Sequence, residues 1–140
     1  MKQNILKYLS VFSFYFAFDF TYQILFSIPF SQRMLEAAGI KDIFATEVQN
    51  PILILIWFLI MTFAIVKLVV EPAVEHKSVK AAYWKGMILG VVSYATLGFA
   101  NGWSLAGYPL ALVMEVTLEG FLFAPAAAAF TTWWILRSSK

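Results

Sequence analysis

Asp19, Glu115 and Glu119 stand inside long apolar stretches, with no Lys, Arg or His expected at their depth. A charged side chain at the centre of a bilayer costs roughly 3 kcal/mol or more, so such residues face a bundle interior and mark sites. Three chemistries are open to them. Burial and mutual repulsion can hold them protonated. Tyrosine, serine and asparagine hydrogen bonds and trapped water can neutralise them. Or they can hold a cationic ligand, a metal ion or a transported proton. Glu115 and Glu119 are four apart on one helix face, so they repel when both are ionised and are expected to share one proton. The plainer alternative is that buried acids only tie helices together, at about 0.6 kcal/mol per bond.

Helical spacing groups the other polar residues with these acids. Tyr8, Phe12, Tyr15, Asp19 and Tyr22 or Gln23 share one face of the first apolar stretch. Gly86, Gly90, Ser93, Tyr94, Leu97 and Asn101 share a face of the third, and Tyr108, Leu112, Glu115, Glu119, Leu122 and Ala126 a face of the fourth. The second stretch, apart from Thr62 and Lys67, is uniformly apolar and is expected to supply lipid-facing bulk. Asp19, Tyr94, Asn101, Glu115 and Glu119 are therefore the candidate ligand-binding residues. Asp19 lies about 13 Å, Glu115 about 9 Å and Glu119 about 15 Å from the nearer span end, at 1.5 Å per residue. All fall in the half of the membrane opposite the chain termini. The Gly86–Gly90 and Gly98–Gly102 pairs have the spacing of close helix packing.

The elements that must position these residues are apolar helices. The chain has 140 residues, 61% of them hydrophobic and 13% charged, where a soluble domain carries about 25% charged residues. Crossing roughly 30 Å of hydrocarbon takes about 20 apolar residues. Four spans fit, about 6–28, 51–70, 79–102 and 109–136, in a single domain over residues 1–140. Pro29 is expected to end the first and Glu71–Pro72 the second. Asn50–Pro51 starts the second as N-cap and first-turn proline, Ser78 caps the third, and Tyr108–Pro109 opens the fourth. Gly39, Gly102 and Gly107 suit caps and turns. Between Phe30 and Gln49 there is room for an interfacial helix, with Met34, Leu35, Ile40, Ile43 and Phe44 apolar and Arg33, Glu36, Lys41, Asp42 and Glu47 wet. The last span is long for a bilayer, and Pro125 in its middle removes a backbone donor, so a bend is expected there. The first apolar run has no small-x-small cleavage site and carries Asp19, so it reads as an uncleaved helix.

Cysteine is absent and His76 is the one histidine. That excludes disulfides, thiolate nucleophiles, and Cys-zinc or multi-histidine sites, and no metal site is expected. No P-loop, dinucleotide motif or nucleic-acid patch occurs. Lys2, Lys7, Lys67, Lys77, Lys80, Lys85, Arg137 and Lys140 fall on one side of the four-span plan, and only Arg33 and Lys41 on the other. By the positive-inside rule both termini are cytoplasmic. The five tryptophans mostly sit near span ends, as in an aromatic belt.

The stretch Tyr94-Ala95-Thr96, then Asn101, Leu105, Tyr108-Pro109-Leu110 and Gly120 resembles an uncharacterised family of small bacterial inner-membrane proteins, a domain of unknown function with four predicted spans. Asp19 near the end of the first span and Gln32-Arg33 fit the same pattern. The sequence departs from it at Gly98 and Val116, where the pattern has Asp, and at Glu119, where it has Trp before Gly120. The resemblance implies a four-span fold and no particular activity, cofactor or role for any one carboxylate.

The expectation is an all-α integral membrane four-helix bundle, multi-pass in the bacterial inner membrane. Its cavity would bind or transport a small lipophilic or cationic ligand. The competing readings are an accessory subunit of a larger membrane complex, and an enzyme using paired carboxylates for proton transfer on a lipid-like substrate. Membrane lipids are the expected partners, with a homo-oligomer or host complex open and nucleic acid excluded. No cofactor is named by the residues.

Overall fold

The computed structural model describes residues 2–40, 51–104 and 106–138. All the regular structure among them is helical. The first long helix joins α1 (Lys2–Tyr22) through a π-helical turn (Gln23–Ser27) to α2 (Ile28–Ala37), and the second joins α3 (Pro51–Ala64) through a π segment (Ile65–Val70) to α4 (Glu71–Glu75). The third is α5 (Val79–Ser104) and the fourth α6 (Leu110–Ser138).

Neither Pro29 nor Pro72 ends its helix, contrary to the sequence expectation. A proline ring clashes with the carbonyl four residues back and cannot donate to it. In both helices the turn before the proline widens: Ile28 N–H reaches back to the Gln23 carbonyl, and Glu71 N–H to the Val66 carbonyl. This five-residue spacing shifts the hydrogen-bond register and lets the helix run on past the ring. Met34, Leu35, Arg33 and Glu36 therefore extend the first helix instead of forming a separate interfacial one, and Leu35 is fully buried. The expected features at Lys41–Asn50 and at Leu105 lie outside the described residues. Pro125 sits in an unbroken α-helix, buried against Gly86.

The true helix ends are capped. Gly39 (φ 69°) follows α2, with Gly39 N–H bonded to the Glu36 carbonyl and Ile40 N–H to that of Leu35, the paired bonds of a Schellman stop. Lys77 (φ 51°) takes the same role after α4, in a left-handed conformation that glycine adopts without strain. Ser78 Oγ accepts the Ala81 N–H at 3.1 Å and caps α5 as expected. Gly102 lies within α5 and meets Val113, so it is a packing residue and not a stop.

The helices α5 and α6 run antiparallel with their backbones touching. A Cβ at Gly90 would overlap the Gly120 carbonyl, one at Gly120 would lie 2.6 Å from the Gly90 carbonyl carbon, and one at Gly86 would lie 2.9 Å from Pro125 Cα. Small residues four apart permit such an approach: Ala82, Gly86, Gly90, Tyr94 and Gly98 form the buried stripe of α5. The facing stripe of α6 runs through Gly120, Ala124, Ala127, Ala128 and Thr131. Leu122, expected on one face with Glu115 and Glu119, is exposed where Glu119 is buried.

The second helix exposes apolar bulk on one side, including Leu59, Ile60, Phe63 and Leu68, but its other side is core. Phe58, Met61, Ile65, Val66, Val69, Val70 and Ala73 are buried and form the centre of the core. A helix apolar all round has no polar stripe from which its inner face can be read, so only its neighbours decide which side is covered. The π segment packs on α1, α5 and α6, whereas α3 packs chiefly on α1. Large apolar side chains such as Leu25, Phe26, Phe63, Leu68 and Phe99 remain exposed around the bundle. Three helical stretches, Ile5–Ala37, Ile54–Glu75 and Leu110–Ser138, are long and apolar enough to cross a membrane. The helix α5, with its glycines, Asn101 and two lysines, is not one of these three.

Candidate functional site

Where α3 leaves α5 and α6, a half-open cavity of about 560 Å³ remains. Its apolar wall includes Phe20, Ile24, Ile28, Trp57, Phe58 and Leu97. Asp19, Gln23, Ser27, Ser31, Tyr94, Asn101, Tyr108 and Glu119 supply the polar groups. Four of the five candidate residues therefore share one cavity.

On the first helix, Val11, Tyr15, Asp19, Gln23 and Ser27 follow one another at intervals of four, so one face carries both core and site. Asp19 is 4% exposed and Glu119 1%. Gln23 Nε2 donates to Glu119 Oε2 at 2.8 Å, tying the first helix to α6. The Tyr15 and Tyr94 hydroxyls are hydrogen-bonded, and Tyr94 also reaches the Asp19 carboxyl group. Trp57 packs edge-on to Tyr94 with ring centroids 6.1 Å apart, which ties α3 to α5 across the gap. Asp19 Oδ1 and Glu119 Oε1 are buried with no hydrogen-bond partner among the described residues. Leaving such an acceptor unmade costs about 1–3 kcal/mol.

Glu115 stands apart from this set. It neighbours Glu119 but lines a second groove with Tyr22, Phe30, Arg33 and Met114, and both its carboxylate oxygens are buried without a hydrogen-bond partner. Arg33, expected on a separate wet helix, lines the same groove as Glu115, because α2 continues the first helix. Tyr108, in the turn before α6, has its phenol pushed above its ordinary range, chiefly by burial. Its hydrogen bond with Asn101 offsets part of that, and the Glu115 charge adds to the rise.

Gln23 was an alternative on the expected face, but Ser27 and Ser31 were missed as site residues. The four-residue spacing from Asp19 pointed to both, and the assumed stop at Pro29 hid the continuation. Tyr15, read as core, is both core and partner of Tyr94. Trp57, read as an interfacial anchor, lines the cavity.

At the opposite end of the bundle Glu71 pairs with Lys67 at 3.0 Å and Lys7 at 3.9 Å, while Arg137 stacks over Trp133 at 5.3 Å. The Glu71 pairs join α1 to the second helix, with Glu71 and Lys7 partly buried and Lys67 exposed. Among the described residues no group of three His, Cys, Asp or Glu is arranged to hold a metal ion.

Neither the curated proteins nor the solved structures contain a match to the sequence. A family model matches residues 4–133, nearly the whole chain and every residue that lines the cavity, so the chain belongs to the family described as predicted membrane protein, DUF2177.

Proposed function

We propose that this membrane protein binds a small lipophilic or cationic ligand in the cavity between the first helix, α3 and the α5–α6 pair. The observation that carries the reading is the convergence of Asp19, Tyr94, Asn101 and Glu119 on one mostly apolar space, with carboxylate oxygens left unpartnered. Glu119 ties α6 to the first helix through Gln23, and its second oxygen is left over for a ligand. Glu115, one turn of α6 away, lines the neighbouring groove and not this cavity. The acids orient the ligand and are not nucleophiles.

In this reading all four long helices span the bacterial inner membrane, α5 included, because α6 contacts it closely from Gly86 to Gly102. Eight of ten basic residues lie on the side of the chain termini, which puts both termini in the cytoplasm. The cavity then belongs to the periplasmic half, and lipid chains cover the exposed apolar exterior. Reporter fusions after Lys140 and near Gly39 test the topology: opposite sides are expected, and the same side for both would refute it.

The binding reading is tested on purified full-length protein by extracting and identifying retained small molecules, then repeating with Asp19→Asn and Glu119→Gln. Loss of a retained molecule from the folded variants is expected. Unchanged retention would remove these acids from the site and favour an accessory structural role.

A further inference from the structure

The cavity has spare acceptors and no cation of its own. Asp19 Oδ1 and Glu119 Oε1 both belong to side chains more than nine-tenths buried, both side chains line this space, and neither oxygen has a hydrogen-bond partner among the described residues. Among the described residues that line it there is no Lys, Arg or His. A complementary occupant therefore brings hydrogen-bond donors, and a positive charge strengthens each bond it makes to a carboxylate. A primary ammonium carries three N–H donors on one small centre, enough for both free oxygens and one more acceptor.

The rest of the space argues against a bare ion. Hard cations want six or more oxygens at roughly 2.0–2.6 Å, whereas Ile24, Ile28 and Leu97 give much of this wall only carbon. A hydrocarbon chain suits those residues, and about 560 Å³ is room for a head and a tail. A quaternary ammonium would match the charge and could sit against the Trp57 ring, but with no N–H it would leave both carboxylate oxygens unbonded.

Resting on the reading of this cavity as a binding site, we propose that its ligand is a lipophilic primary amine. The ammonium group bonds Asp19 and Glu119, and the chain lies along Ile24, Ile28 and Leu97. The two carboxylates thereby select the head group, while the apolar wall contributes affinity with little selectivity.

The test uses the full chain in phosphatidylcholine bilayers, with n-dodecylamine, n-dodecyltrimethylammonium and n-dodecanol as probes of equal chain length. Bound probe is counted per protein by native mass spectrometry after release from the bilayer. The amine should be retained at one per chain, about tenfold or more above the other two, the size of one charge-assisted hydrogen bond. In the Asp19→Asn/Glu119→Gln double variant that preference should vanish while dodecanol retention stays the same. Glu71→Gln, at the other end of the bundle, should keep it.

Equal retention of amine and alcohol would overturn the amine assignment and leave a lipophilic site standing. Equal retention of amine and trimethylammonium would show that charge alone is read, and would overturn the N–H requirement. Retention of none of the probes would overturn both the amine assignment and the binding reading. These outcomes come from the unaltered chain, so the test holds even if the double variant does not fold.

Discussion

The two ends of this bundle are built from the same helices and behave as different materials. At one end the π segment of the second helix lies against α1, α5 and α6, and Ile65, Val66, Val69 and Val70 fill the space between them. At the other end α3 keeps mainly its contact with α1, and Trp57 and Phe58 reach into a gap that polar groups share. The α5–α6 pair is close along much of its length, with Gly90 on Gly120 toward one end and Gly98 on Val113 toward the other. The cavity therefore does not come from separation of that pair. It comes from where the second helix stops touching it. Dense packing holds one end in place, and the other end can carry unpartnered acids that a dry core would not tolerate.

The contrast is broken most severely at the glycines. Gly90→Leu or Gly120→Leu would drive a side chain into the opposite backbone, and we expect no folded protein by extraction and size-exclusion chromatography. Gly90→Ala should cost about 1–3 kcal/mol through overpacking, read as a lower unfolding midpoint. Gly102→Ala, whose Cβ would meet only the Val113 and Tyr108 side chains at 3.3 Å or more, should stay within about 0.5 kcal/mol. Equal costs at the two positions would mean that the ends are packed alike.

Core truncation gives the next largest difference. Val69→Ala removes a methyl pair from a fully enclosed site and should cost about 1–3 kcal/mol. Leu97→Ala, on the cavity wall and 46% exposed, should cost under about 0.5 kcal/mol and weaken ligand retention instead. Denaturant titration of both variants, alongside the ligand assay, separates the two effects.

Smaller still is Tyr94→Phe, which removes the hydroxyl shared with Tyr15 and Asp19 and should cost about 0.6 kcal/mol, the usual size of an interhelical hydrogen bond in a membrane. Asp19→Asn should leave stability level or slightly raised while abolishing ligand selectivity, because it relieves a buried, incompletely bonded carboxylate. A loss of several kcal/mol there would make Asp19 a structural tie. Glu71→Gln, at the partly exposed ion pairs, should not shift the midpoint measurably, since solvated pairs contribute little.

The sequence carried much of this. Long apolar runs with few charges require helices in a membrane, because lipid offers backbone groups no other partner. Acids embedded in such runs are turned inward, and helical spacing set Asp19 on a face with Tyr15 and Tyr22 or Gln23, and Tyr94 on the stripe with Gly86 and Gly90. The Tyr94–Gly120 pattern was enough to point to an uncharacterised membrane family. These inferences depend on local periodicity and on transfer energetics, both of which a linear chain contains.

Other features were fixed only by tertiary structure. Pro29 and Pro72 are helix breakers by local rules, but a π turn ahead of each accommodates the ring while the helix stays packed against its neighbours. That extension brought Ser31 into the cavity and Arg33 into the groove that Glu115 also lines. The second helix gave no hint of its inner face, because Ile, Leu, Phe and Val occur all around it, and contact with three other helices chose the side. Glu115 and Glu119 share a face by spacing, yet they line different spaces, Glu119 the cavity with Asp19 and Tyr94 and Glu115 the groove with Tyr22 and Arg33. One turn of helix is about 5.4 Å, enough to change which neighbour a side chain meets, and that neighbour is set by packing and not by spacing.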